Sequence, residues 1–494
     1  MKHSPSWHGA AAALALLASG HPFAAAQTTP DTTATAGHAE PRLDGLADFV
    51  DGVMAQQISS HEVAGATIAV VHDDALLLSA GYGFADIESG TRVDPETTLF
   101  RPGSVSKLFT WTALMQQVEL GRVDLDADIN TYIDFHIPPY EGQTVRVRDL
   151  MSHSPGWSDV SGISVATVEE LTPYGEWIQQ HIPERVWAPG TEIAYSNYGV
   201  ALAGYIVERV SGEPFATYVE DHIFSPLDMP STTFREPLPE HLEDRMATGY
   251  EMEDGRLVAQ PFELFSSIMP AGSGTSSARD MARFMRAMLN GGELGDVRIL
   301  QSASVELLMR DSLRNAPGLP GMAHGFYVVQ EDGPRLVGHG GNTGDFHSNL
   351  ILAPEAGFGF FVSVTGGSES SVGRTDLTNA IIGRVFPQDA APREPRPEDE
   401  ALPVGSYRMN RRDYSQPPRE EYDIEVTAAG RNAIRIRFLE DTTYWERIGP
   451  MTFEKVTGTR HSGPFDRARF HTGPSGLVLS FSYQPYMAYH RVDD

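Results

Sequence analysis

Pro102-Gly103-Ser104-Val105-Ser106-Lys107-Leu108-Phe109-Thr110-Trp111 is the stretch on which the reading of this chain turns. After Pro-Gly, the residues Leu108, Trp111, Leu114, Met115 and Val118 recur at helical spacing, which predicts a core helix beginning near Ser104. Ser104 falls in its first turn, where the helix dipole favours negative charge, and Lys107 lies one turn on along the same face. A neutral lysine amine accepts the serine proton, and a charged one lowers the serine pKa; either makes a nucleophile. The spacing alone is common, and a capping serine followed by a solvated lysine would explain it equally well. Residue usage shifts the balance. Of 37 basic residues 34 are arginine, and lysine occurs only at 2, 107 and 455. Arginine keeps its proton at any useful pH whereas a buried lysine can lose it, which gives a chemical reason for lysine at 107.

Composition narrows what such a nucleophile serves. The 494 residues are 41% hydrophobic and 21% charged, as in a globular chain of two to four domains. A net charge of −29 repels phosphate backbones and anionic headgroups, so the expected partner is a small-molecule or peptide substrate, not nucleic acid or a membrane surface. With no cysteine there is no disulfide, thiolate metal site, iron–sulfur cluster or cysteine nucleophile. Lys2 and His3, the apolar run 10–18 and Ala24-Ala25-Ala26 have the form of a secretory signal peptide over 1–26, so export to a periplasmic or extracellular space is expected. A run of nine apolar residues is far short of the ~20 that span a bilayer, and stable membrane insertion is not expected.

Residues 27–42 read as a flexible lead-in and 43–386 as the main domain. Leu43, Leu46, Phe49, Val50 and Val53 have helical spacing, and 66–71, Asp73-Asp74 and 75–78 read as a hairpin. The Pro- and charge-rich stretch 387–402 reads as a linker. Beyond it, alternating runs at 422–427, 433–438 and 477–483 predict that 403–494 is all-β, a small barrel or sandwich.

Ser104-x-x-Lys107 resembles the first motif of the serine β-lactamases and penicillin-binding proteins. Tyr195-Ser196-Asn197 is similar to the second motif in the Y-x-N form of the class C β-lactamase-like branch, and His339-Gly340-Gly341 to the third. Leu150-Met-Ser-His-Ser-Pro-Gly-Trp157, Phe224-Ser-Pro-Leu-Asp-Met229 and Pro270-Ala-Gly-Ser-Gly274 also match. The resemblance implies an α/β (α+β) serine β-lactamase-like fold: an antiparallel sheet flanked by helices, with a helical region within about 120–235. D-aminopeptidases, DD-carboxypeptidases and esterases share that branch. It implies that Ser104 attacks a carbonyl while Lys107 and Tyr195, as a phenolate beside an ammonium, move the proton. Asn197 would bridge Lys107 and the substrate, and the N–H groups of Ser104 and Asn342 would form an oxyanion hole. No metal or cofactor is implied.

Where β-lactamases carry Lys-Thr-Gly, this chain has His339-Gly340-Gly341, so ester, amide or D-amino-acid peptide cleavage is expected ahead of efficient β-lactam hydrolysis. His339 is then assigned to the substrate carboxylate or carbonyl. His471-Thr472-Gly473 is a closer match to H-T-G but falls in the C-terminal β region, and His153 is expected to support the site from behind. No G-x-S-x-G, H-E-x-x-H or G-x-x-x-x-G-K-[ST] occurs, which disfavours an α/β-hydrolase, a zincin and a P-loop. The remaining alternative is a non-catalytic protein on the same fold that binds cell-wall peptides or a protein partner.

Overall fold

A computed structural model describes residues 40–60, 63–367, 370–387, 400–457, 466–473 and 476–492. The expected signal peptide, nearly all of the lead-in and most of the linker lie outside them.

Five helices of 12 residues or more occur among the described residues: α1 (Leu46–Ser59), α2 (Lys107–Glu119), α3 (Asn197–Ser211), α4 (Ala278–Leu289) and α5 (Ser370–Val385). The main sheet has β1 (Gly65–His72), β2 (Ala75–Asp86), β3 (Thr91–Arg92), β4 (Tyr327–Gln330), β5 (Leu336–Asn342), β6 (Phe346–Ala353) and β7 (Phe358–Thr365) in the order β3-β2-β1-β7-β6-β5-β4, with every pairing antiparallel. Asp73 and Asp74, both at positive φ (47° and 62°), make the two-residue turn between β1 and β2, a backbone twist that matches the strands it joins.

Side chains alternate across the central strands, and this divides the core in two. Ile68, Val70, Val362 and Val364 pack against Val50 and Met54 of α1 and Leu377 and Ile381 of α5. Ala69, Val71 and Phe361 face the other way, into a cluster holding Met281, Phe284 and Met285 of α4. Covered on both faces, β7 is buried along its whole length, which is why it reads as one apolar run. Helix α2 is buried from Lys107 through Met115, as expected for a helix that is apolar all round. Ser104 sits just before it in a 3₁₀ turn (Gly103–Ser106), so the α-helix begins three residues later than the periodicity suggests. The Ser196 hydroxyl caps α3 by accepting the Gly199 N–H at 3.0 Å, and Gly212 in the left-handed region (φ 80°) ends it. The region 120–235 is less helical than expected: besides α3 it holds short helices such as Val147–Met151, Tyr174–Gln180 and Phe215–Val219, with loops between them.

The C-terminal strands β8 (Gly405–Met409), β9 (Ile424–Gly430), β10 (Ala433–Phe438), β11 (Asp441–Gly449), β12 (Thr452–Thr457), β13 (Arg467–Gly473), β14 (Gly476–Phe481) and β15 (Tyr489–Arg491) form a closed barrel, β15 pairing with both β14 and β8. Its loops reach the main domain. Tyr195 N–H donates to Tyr486 O at 3.0 Å, Asp159 N–H to Arg412 O at 2.9 Å, and the Asn410 side chain to Ile193 O at 2.8 Å.

Candidate active site

Lys107 is fully buried, and its Nζ lies 2.9 Å from Ser104 Oγ, 2.9 Å from Asn197 Oδ1 and 2.5 Å from the Ala271 carbonyl. Among the described residues no carboxylate comes within ion-pair distance of it. Burial first, and the Arg411 guanidinium second, hold its pKa well below the usual lysine range, with Asp159 opposing. A lysine so placed favours the neutral amine, which can take a proton from Ser104 across 2.9 Å.

The third-motif strand lies directly on the serine turn. Gly103 is in the left-handed region (φ 54°), and a Cβ added there would come within 2.9 Å of Asn342 N. A Cβ on Gly341 would fall 2.0 Å from Pro102 O and 2.7 Å from Ser104 N. Glycine at both positions is what allows β5 to approach the Ser104 amide. That amide stands at the start of a helical segment, where N–H groups lack intrahelical acceptors. The Asn342 side chain is held by His347, Nδ1 to Oδ1 at 2.9 Å.

Tyr195 belongs to the same cluster, its ring centroid 5.0 Å from Lys107 Nζ. Its hydroxyl is buried, and burial pushes its pKa up, although the Arg411 charge and the neighbouring Ser104 and Tyr327 hydroxyls pull the other way. The electrostatics therefore favour a neutral phenol, unlike the phenolate expected from the sequence. His153 lies behind it, ring centroids 4.3 Å apart; its Nδ1 accepts the Ser196 N–H at 3.2 Å, and burial holds it neutral.

His339 is buried beside Tyr327 (centroids 4.1 Å apart), and burial followed by the Lys107 charge lowers its pKa to about 3. Its Nδ1 lies 2.6 Å from Gly340 O, so that nitrogen carries the hydrogen and the unpartnered Nε2 is an acceptor. A neutral ring with a free acceptor nitrogen favours a hydrogen-bond donor of the substrate over the carboxylate or carbonyl expected for His339. The decoy His471 lies on barrel strand β13.

Two cations that sequence reasoning missed line the same cleft. Arg374 on α5, next to Gly340, donates to Ser348 O and Asn349 Oδ1 at 3.1 and 2.8 Å; it meets no carboxylate among the described residues, and burial lowers its pKa to about 10. Arg411, from the barrel loop after β8, lies 4.6 Å from the Tyr195 ring centroid, with its Nε 3.0 Å from Asp159 Oδ2. No local pattern flagged either residue, because each reaches the cleft through tertiary docking.

A helix-start serine bonded to a buried lysine, a tyrosine and asparagine at the entry to α3 and a glycine strand against the serine turn define a protein of the β-lactamase class. Residues 46–382 match the family described as Beta-lactamase, and the chain belongs to that family. It is 25% identical over 330 residues to "Protein flp" of Staphylococcus aureus (strain MW2); the match covers 65% of this chain and 63% of the relative, so the chain spans less than two thirds of that protein's length. Its fold is similar to that of the octameric penicillin-binding protein homologue from Pyrococcus abyssi (TM-score 0.62, 22% identity, 90% of this chain and 99% of that one). It is also similar to a β-lactamase/D-alanine carboxypeptidase from Pseudomonas syringae (TM-score 0.57, 20% identity, 68% of this chain and 98% of that one).

Proposed function

We propose that this chain is an exported serine hydrolase of the class C-like branch, forming an acyl-enzyme on Ser104 from an ester, an amide or a D-amino-acid peptide. The observation that carries the reading is the buried Lys107 amine 2.9 Å from Ser104 Oγ with no carboxylate beside it. Neutral Lys107 takes the serine proton as Oγ attacks the carbonyl. The oxyanion is received by the N–H groups of Ser104 and Asn342. Lys107 then passes the proton to the leaving group by way of the Tyr195 hydroxyl, and Asn197 holds Lys107 in place from its third side. Water releases the acyl group by the same route.

On the substrate side, Arg374 and Arg411 favour a substrate with a carboxylate near the reacting carbonyl, as a D-amino-acid peptide has. The similarity in fold to the Pseudomonas syringae β-lactamase/D-alanine carboxypeptidase agrees with that class. Intact-mass spectra after treatment with a fluorophosphonate test the reading: one adduct on the full chain and none on Ser104→Ala is the expected result, followed by turnover of D-peptides and esters ahead of penicillins. No adduct on either protein would overturn it and leave the binding-protein alternative.

A further inference from the structure

The cleft around Ser104 does not end at the catalytic cluster. One cavity of about 880 Å³ is lined by Ser104 and Tyr195 at one end and by Trp445, Lys455 and Tyr483 at the other. Its volume is near the top of the roughly 300–1,000 Å³ usual for small-molecule sites, well beyond what a carbonyl and its nearest substituents fill. Between the two ends, Thr378 and Ile382 of α5 and Phe386 just after it line the space together with Phe438 and Leu439 of the barrel.

The far end is the mouth of the barrel. Trp445 and Phe481, from β11 and β14, pack 5.7 Å apart, and Tyr483 extends the aromatic wall 5.2 Å from Phe481. The same core cluster continues through Phe470, whose ring packs against both Tyr407 and Phe453 and fills the barrel beyond the cavity lining. An eight-stranded barrel has an interior of the size that side chains fill or that one small ligand occupies; here part is filled and part is cavity. Lys455 lies in this wall with its Nζ 5.4 Å from the ring centroids of both Trp445 and Tyr483, and its charge is met by Asp466 Oδ2 at 2.9 Å. The cup therefore offers apolar surface without a free cation to draw an anion. Leu439 and Tyr483, 46% and 48% exposed, have their open surface in a molecule whose cavity they line, which accounts for two large apolar residues left out of the core.

We propose that the barrel mouth is a second substrate subsite that takes an apolar tail, alkyl or aryl, of the molecule whose carbonyl is presented to Ser104. The proposal rests on the hydrolase reading above. The barrel then selects substrates by chain length as well as docking against the catalytic domain.

Gly383 provides the test. It lines the cavity on α5, an added Cβ there meets nothing within 4 Å, and replacing a helical glycine does not threaten the fold. Kinetics of p-nitrophenyl acetate, butyrate, octanoate and dodecanoate, and of alkyl acetates of the same chain lengths, would be compared for the full chain and Gly383→Trp. Once the tail reaches the cup, kcat/KM should rise by up to about fourfold per added methylene in one of the two series. In Gly383→Trp the rise should vanish, with p-nitrophenyl acetate turnover unchanged. A flat or falling dependence in both series, or an unchanged rise in Gly383→Trp, overturns the proposal. Equilibrium binding of a dansyl-labelled undecanoic acid separates the two readings without turnover. If the fluorophosphonate leaves no adduct but the probe binds the full chain and not Gly383→Trp, the hydrolase reading fails and the subsite stands; if the probe does not bind, the subsite fails.

Discussion

Arg411→Ala should move the acid limb of the pH–rate profile to higher pH. Lys107 Nζ lies 5.0 Å and the Arg411 guanidinium carbon 4.6 Å from the Tyr195 ring centroid, so the two charges are at most about 9.6 Å apart, the two distances laid end to end. At an effective dielectric constant of about 20, that separation corresponds to at least about 1.7 kcal/mol of repulsion against the protonated form of Lys107. Loss of the guanidinium also uncovers Asp159, which raises the Lys107 pKa further. The other titratable groups facing the pair are held neutral by burial: His153, His339, Tyr327 and Tyr486. The sign follows from the chemistry. Turnover needs neutral Lys107, which is present above its folded-state pKa, so raising that pKa shifts the limb to higher pH and leaves activity recoverable in alkali. The assay is kcat/KM for a neutral ester across the neutral and alkaline range, with Arg411→Lys as the charge-preserving control whose limb should stay within a few tenths of a unit. A uniform loss at every pH in Arg411→Ala, with the limb unmoved, would refute the electrostatic role.

Lys107→Arg keeps the charge but cannot deprotonate, so turnover should fall about 10²-fold or more; tens of per cent of residual rate would remove Lys107 from the proton path. Gly341→Ala should lower kcat by a similar factor, because its Cβ, 2.0 Å from Pro102 O, forces β5 off the serine turn; circular dichroism would confirm that the fold is kept. Arg374→Ala should raise KM for carboxylate-bearing substrates more than His339→Ala does, and the reverse order in steady-state kinetics would return carboxylate binding to His339. Glu236→Ala leaves Arg101 buried without its counter-charge and should cost about 3–5 kcal/mol in denaturant unfolding.

Much of the fold was legible because local chemistry decided it. Asp73-Asp74 between two apolar runs specified a hairpin, the unbroken apolar face of 108–118 specified a buried helix, and alternation after 403 specified β-structure. Barrel closure was not legible, since pairing of β8 with β15 joins residues as far apart in sequence as Tyr407 and Arg491. The Ser104–Lys107 contact could be read because it spans one helical turn, and Asn197 could be placed only through the resemblance. Protonation states were the least legible. Tyr195 was expected as a phenolate because an ammonium was assumed beside it, but burial acts on both groups, lowering the lysine pKa and raising the tyrosine pKa, so both favour their neutral forms.

The third motif shows why barrel and catalysis belong together. A strand lysine, as in Lys-Thr-Gly, would bring positive charge to the cleft from within the catalytic domain itself. His339, neutral and with an acceptor nitrogen facing inward, brings none. In this chain positive charge reaches the cleft from Arg374 on α5, within the catalytic domain, and from Arg411 on the barrel, and the second is in place only while the loop after β8 is docked by Asn410, Arg412 and the Asp159 ion pair. The charge that depresses the Lys107 pKa therefore reaches the site through a domain interface. Weakening that interface beside Arg411 should then alter the proton chemistry: Asn410→Ala, which removes side-chain bonds to Ile193 O and Glu192 across the interface and one from Ala488 within the barrel, should shift the acid limb in the same direction as Arg411→Ala and by less.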